Sequence, residues 1–151
     1  RRVLFRSVRG LLQTLRPSVL DELGLQSALE DLIIPWKKRH ADIDVQYHLD
    51  LDNHLFNDQI NIAAYRLLQE ALTNITKHAL ATKVTIAVNI ESRAKQKWIH
   101  IIIEDNGVGL NSNQTFGLGL PGMKERIVGL DGKINFTSQD GTTIEAWIPI
   151  K

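Results

Sequence analysis

Apolar positions along the chain set out its elements. Ile60, Ala63, Ala64, Leu67, Leu68, Ala71, Leu72, Ile75 and Ala79 recur at three- and four-residue steps, which predicts an amphipathic helix. Upstream, Leu25, Ala28, Leu29, Leu32, Ile33 and Trp36 share the face of another helix, with Pro35 predicting a kink or early end. Leu4, Val8, Leu11 and Leu15 form a heptad-like seam with Arg1, Arg2, Arg6 and Arg9 on the other faces. That pattern starts abruptly and predicts a truncated helix over residues 1–16. Pro17 and Gly24 punctuate a link over residues 17–24. Alternation marks strands at Ile43, Val45, Tyr47, Leu49 and Leu51, and again at Val84, Ile86, Val88 and Ile90. Residues 92–97 read as a hairpin loop before a β-branched strand from Trp98 to Glu104. A helix from Met123 to Leu130 and strands at Lys133–Thr137 and Thr142–Pro149 complete the chain. This order predicts an α+β fold: a two-layer α/β sandwich whose mixed sheet is covered by helices on one face.

Composition narrows the classes. A length of 151 residues with 43% hydrophobic content suits one domain with a real core, taken as residues 25–151. A formal net charge of +1 carries no nucleic-acid footprint. With no cysteine there is no disulfide framework, and no apolar run approaches membrane-spanning length. His40, His48, His54, His78 and His100 show no metal-ligand spacing. The basic run Lys37-Lys38-Arg39-His40 reads as a solvated helix end facing the negative pole of the macrodipole.

Three polar signatures carry the candidate chemistry. The first, Gln69-Glu70-Ala71-Leu72-Thr73-Asn74-Ile75-Thr76-Lys77-His78, lies on the strongest helix. At about 100° per residue, Glu70, Asn74 and Lys77 fall in one arc at the border of the apolar stripe. An amide oxygen and an ammonium there suit a metal–phosphate group; an ordinary solvated helix border explains the same residues. The second, Glu104-Asp105-Asn106-Gly107-Val108-Gly109, ends a strand. Asp105 is an acceptor for an exocyclic amine such as that of adenine, and the glycines let backbone approach a flat ring. Asn-Gly is also a hairpin signal, but no pairing strand follows. The third, Phe116-Gly117-Leu118-Gly119-Leu120-Pro121-Gly122, spells G-x-G-x-x-G without the preceding strand that a dinucleotide fold requires. A glycine loop running into a helix start still offers N–H groups to phosphates.

Together these motifs resemble the N, G1 and G2 boxes of bacterial sensor histidine kinases, in particular the subfamily paired with LuxR/NarL-type response regulators. Sugar-phosphate sensors are one kind of member it would fit. The resemblance implies the Bergerat (GHKL-type) ATPase fold shared with gyrase, Hsp90 and MutL, and ATP and Mg²⁺ as cofactors. By resemblance, Asp105 recognises adenine while Gly107 and Gly109 shape the base pocket. Asn74 ligates Mg²⁺, with Lys77 and His78 near the phosphates. Gly117, Leu118, Gly119 and Leu120 form the lid, Gly141 and Thr142 line the pocket, and Glu70 is the candidate catalytic base. The resemblance also implies γ-phosphoryl transfer to a histidine in an upstream dimerisation hairpin, expected to precede Arg1. It implies a homodimer in the full-length protein and a cytoplasmic domain of an inner-membrane sensor, attached to the membrane only through upstream segments. Two other readings remain: a self-contained ATPase of the gyrase or Hsp90 type, and a nucleotide-binding module without turnover. The segment between Gly109 and Phe116 is short, unlike that of longer-lidded kinases.

Overall fold

A computed structural model describes residues 18–52, 55–109 and 120–151, with the backbone alone at 18–23, 78–79 and 120. The seam over residues 1–16, His54, and Gly117, Leu118 and Gly119 of the glycine loop lie outside the described residues. Helix α1 spans Ser18–Arg39 and is interrupted at Gly24 (φ 83°, ψ 178°), where helical geometry breaks. Of the two outcomes expected at Pro35, the early end does not occur: the helix continues to Arg39, and Gly24 is its non-helical residue. Beyond the proline, Trp36 is buried with Leu25, Ala28, Leu29 and Ile33, so core packing outweighs the one hydrogen bond that proline removes.

Strand β1 (Asp44–Asp50) leads to α2 (Asp58–Asn74). Asn57 caps α2, its Oδ1 accepting Ile60 N–H at 2.9 Å. A π turn (Ile75–Ala79) follows, then β2 (Lys83–Arg93), β3 (Gln96–Asp105), α3 (Leu120–Gly129), β4 (Lys133–Thr137) and β5 (Thr142–Pro149). The sheet order is β1-β2-β3-β5-β4, with β1 parallel to β2 and the other pairs antiparallel. The mixed sheet, and the element order from α1 onward, agree with the fold read from the sequence.

The β2–β3 hairpin is tighter than expected. Ser92 pairs with Lys97 and Arg93 with Gln96, which leaves Ala94 (φ 48°) and Lys95 (φ 68°) as a two-residue turn. Two successive left-handed residues match the twist of the flanking strands. Helix α3 begins at Leu120, three residues before the expected start, and places Pro121 in its first turn, where a missing N–H costs nothing.

One sheet face is the core. Val84, Ile86 and Val88 of β2 line up with Ile99, Ile101 and Ile103 of β3 and with Ile144, Ala146 and Ile148 of β5. Onto them pack the buried stripes of α1, of α2 (Ile60 to Leu72) and of α3 (Met123, Ile127). The alternate residues face the other side, where His100 Nε2 lies 2.6 Å from Glu145 Oε2 and its ring stacks on Trp147.

Candidate functional site

The crossover β1–α2–β2 places the site. Parallel pairing requires the chain to return the length of the sheet before entering β2, and α2 makes that return. The C-terminal end of α2 and the π turn therefore lie where β2 begins. Val84 in β2 pairs with Asp105, and Asp105 pairs with Thr142, so β3 ends and β5 begins at this same edge. The first and second signatures are thus brought to one end of the sheet.

Asp105 occupies a half-buried notch there. Its Oδ1 accepts Gly107 N–H at 2.8 Å. Burial pushes its carboxyl above the usual range, against the lowering influence of the Gly107 and Thr142 backbone N–H groups. An ionised carboxylate offers about four acceptor positions, so it retains capacity for an amine. Thr142 is itself buried. The neighbouring turn needs glycine: at Gly141 (φ 117°) a Cβ would stand 1.9 Å from Asp105 O. Gly109 (φ 78°) is buried and faces Ser138, whose Oγ would be 2.6 Å from an added Cβ. Val108, between Gly107 and Gly109, is exposed.

Asn106 fastens this edge. Its Oδ1 accepts Thr82 N–H and Lys83 N–H, both at 2.9 Å, and its Nδ2 donates to Thr82 Oγ1 at 2.8 Å. Its own N–H reaches Lys83 O at 3.2 Å. The segment leaving the π turn through left-handed Leu80 (φ 51°) is thereby tied to the loop after Asp105. In the sequence Asn106 carries only a turn signal, and this role was not legible there.

Glu70 and Asn74 are both half-buried, four residues apart on the α-helical part of α2. Asn74 is its last residue. Lys77, in the π turn, is exposed and lines a cleft of about 340 Å³ against α1, with Trp36, Arg39, His40, Gln69 and Thr76. Glu70 and Asn74 are not among the residues lining that cleft. His78 belongs to the π turn by its backbone, and Leu120 opens α3.

A profile of the "Histidine kinase-, DNA gyrase B-, and HSP90-like ATPase" family matches residues 59–151, which include Glu70, Asn74, Lys77, Asp105, Gly107, Gly109, Gly141 and Thr142 but not the α1 side of the cleft. The chain belongs to this ATPase family. Its relatives include the oxygen sensor histidine kinase NreB of Staphylococcus carnosus, 35% identical over 97% of this chain and 42% of that protein. The histidine-protein kinase/phosphatase UhpB of Salmonella typhimurium is 33% identical over 97% of this chain and 29% of its own length. DegS of Brevibacillus brevis is 35% identical over 95% of this chain and 37% of that protein. The chain thus spans less than half the length of these relatives. Among solved structures, the histidine kinase domain of the Erythrobacter litoralis EL346 blue-light activated kinase superposes with a TM-score of 0.68 at 19% identity, covering 83% of this chain and 61% of that one. The Acinetobacter baumannii histidine kinase AdeS superposes at 0.64 with 20% identity, covering 99% of this chain and 80% of that one. These likenesses show the fold.

The ATPase domain therefore binds ATP, and the donor set at this edge suits Mg²⁺ carried by phosphates. Among the described residues no three His, Cys, Asp or Glu side chains gather as a metal cage. Mg²⁺ keeps most of its waters and takes one or two protein oxygens alongside substrate phosphates, which a single amide such as Asn74 satisfies.

Proposed function

We propose that this domain is the catalytic part of a sensor histidine kinase, moving the γ-phosphoryl group of MgATP to a histidine nitrogen in an upstream dimerisation hairpin. The observation that carries the reading is the Asp105 notch: a half-buried carboxylate at a strand end, walled by the Gly141 turn and left with acceptor capacity. Asp105 takes the adenine amine, Gly107 and Gly109 admit the ring, and Thr142 lines its edge. Asn74 offers its amide oxygen to Mg²⁺, which when bound neutralises charge on the β- and γ-phosphates. Lys77 starts in the cleft against α1 and reaches the phosphates by swinging its flexible stem, His78 stands near them, and Gly117, Leu118, Gly119 and Leu120 close over them. Glu70 accepts the imidazole proton as the ring nitrogen bonds phosphorus and the bond to the ADP oxygen breaks. Positioning supplies most of the acceleration.

Residues 1–16 then belong to the hairpin, 17–24 to the link and 25–151 to the catalytic domain. The partner is a LuxR/NarL-type response regulator, and the full-length kinase acts as a homodimer. Among the described residues no helix is long and apolar enough to cross a membrane. We place the domain in the cytoplasm, with membrane attachment through other segments.

The test uses a polypeptide of these 151 residues with MgATP, alone and with a separate polypeptide carrying the upstream hairpin. Alone it should form no acid-labile phosphate, since its five histidines lie outside an acceptor helix of the expected kind. With the hairpin, label should appear on the hairpin, and Glu70→Gln should slow labelling by about 10²-fold or more. Steady release of inorganic phosphate without any acceptor would instead favour a self-contained ATPase. Label on the isolated chain, at His78 for example, would overturn the assignment.

A further inference from the structure

The end of α1 and the back of α2 meet around one hydroxyl. Trp36, 4% exposed and fixed in the core, directs Nε1–H to Thr76 Oγ1 at 2.9 Å, across 40 residues of sequence. Thr76 Oγ1 in turn donates to Leu72 O at 3.0 Å. The His40 ring stacks on Trp36 with centroids 4.3 Å apart, its Nδ1 2.8 Å from Trp36 O and its Nε2 3.4 Å from Thr76 Oγ1. A hydroxyl has one proton and two lone pairs. Here the proton goes to a helix carbonyl and a lone pair takes the indole, so Thr76 is held from both sides by groups that cannot move freely.

This junction falls where the helix changes its ladder. Ile75 N–H is shared between Ala71 O and Leu72 O, and the π turn occupies Ile75–Ala79. Leu72 O thus serves both the Ile75 N–H and the Thr76 hydroxyl. The π turn ends the helix, with Leu80 following in the left-handed conformation (φ 51°) that commonly closes a helix C-terminus. Asn74 is the last α-helical residue, directly before this one. The direction of its side chain depends on where the wide turn begins. Thr73 and Thr76 bond back to Gln69 O at 2.9 Å and Leu72 O at 3.0 Å, which loosens the ladder, and of the two only Thr76 is bonded across to Trp36 and so fixed to the core.

We infer that Thr76, clamped by Trp36, is a positioning residue: it pins the π turn immediately after Asn74 and so aims the Asn74 amide at the metal–phosphate group. The inference rests on the nucleotide-site reading above. It assigns work to the face of α2 turned away from Glu70 and Asn74, and it makes Mg²⁺-dependent binding sensitive to α1.

The test measures ATP affinity by calorimetry with and without Mg²⁺ for wild type, Thr76→Val, Thr76→Ser and Trp36→Phe. Valine keeps the shape of Thr76 and removes the hydroxyl. Thr76→Val should keep metal-free affinity within about twofold and lose most of the Mg²⁺-dependent gain. Thr76→Ser should retain the gain, and Trp36→Phe should lose part of it. An undiminished gain in Thr76→Val overturns the inference, as does an equal loss of metal-free and metal-dependent binding, which marks a merely structural role. Thr76 is exposed, so the valine variant should fold; were it unfolded by circular dichroism, Trp36→Phe decides on the same two criteria. A wild-type chain that binds no ATP refutes the nucleotide site itself, whereas wild-type binding with a Mg²⁺ gain that every variant shares refutes the clamp alone.

Discussion

Replacing Asp105 by asparagine separates what the carboxylate does for a ligand from what it does to the fold. In the free protein Oδ1 holds Gly107 N–H at 2.8 Å, and burial raises the carboxyl's pKa despite the nearby Gly107 and Thr142 N–H groups. Asparagine can keep the bond to Gly107 through its carbonyl oxygen. Its NH₂ group then stands where an acceptor should meet the adenine amine, so two donors oppose each other. Losing a hydrogen bond to a charged group costs about 1.5–3 kcal/mol, roughly ten- to hundredfold in affinity. Calorimetry with ADP near neutral pH reads this directly, and unchanged binding in Asp105→Asn would remove Asp105 from the base pocket.

The same substitution has a pH signature whose sign follows from linkage. Folding raises this pKa, so the folded chain holds the proton more tightly than the unfolded chain. Between the unfolded and folded values stability falls as pH rises, and the full penalty persists above the folded value. Asparagine carries no such penalty. Melting curves should therefore show Asp105→Asn, offset by its lost bond to the Thr142 N–H, gaining on wild type as pH rises through that window. Ligand binding runs the other way: wild-type ADP affinity should drop as pH falls through the raised pKa, while the weaker affinity of the variant stays flat. A stability difference that stays constant or moves toward wild type as pH rises through that window would refute the desolvation account.

Two further substitutions probe the rest of the edge. Asn74→Ala should blunt the Mg²⁺-dependent gain in ATP affinity while sparing metal-free binding; an equal gain in both proteins would place the metal ligand elsewhere. Gly141→Ala should lower the melting temperature by several degrees and weaken ADP binding, because left-handed strain alone costs about 1–3 kcal/mol and the new Cβ would meet Asp105 O at 1.9 Å. Gly129→Ala, whose Cβ would meet nothing within 4 Å, is the control and should be neutral or slightly stabilising. Wild-type melting of Gly141→Ala would refute the close approach.

What the sequence made legible was whatever has a period or a strong local breaker. The period-two runs of β1 and β2, the β-branched run of β3 and the three- and four-residue steps of α2 follow from side chains that must reach a common core, and the strands at Lys133–Thr137 and Thr142–Pro149 lie where expected. Less legible were features decided by partners distant in the chain. The Ala94–Lys95 turn has no glycine or asparagine to announce it; ladder pairing on both sides draws it tight. The helix passes Pro35 because Trp36 has a buried place to fill beyond it. The π turn is invisible in the apolar pattern, since Ala71, Ile75 and Ala79 keep an even α-helical spacing, and the group that fixes Thr76 lies 40 residues away. Likewise His40 read as part of a solvated basic run, yet its ring lies on Trp36.

The order of Asp105 and Asn106 illustrates how the fold and the candidate chemistry divide two adjacent side chains. Backbone and side chains together close the far end of the sheet: Ile150 N–H reaches Lys97 O at 2.8 Å and Gln96 Nε2 donates to Ile150 O at 2.9 Å. At the site end the Asn106 side chain carries three of the bonds. At Asn106 one amide both accepts and donates, meeting the Thr82 and Lys83 N–H groups through Oδ1 and the Thr82 hydroxyl oxygen through Nδ2. A neutral amide does this without adding a charge, whereas a carboxylate could meet the hydroxyl only by accepting its proton. At position 105 every contact runs the other way: Gly107 and Thr142 present N–H groups, and an amine ligand would present another. Only acceptors are wanted there, and the charge strengthens each bond at the cost of some desolvation. Asp-Asn is therefore the order that leaves the carboxylate free for a ligand while the amide carries the edge, and the reversed order would leave a donor facing donors at 105.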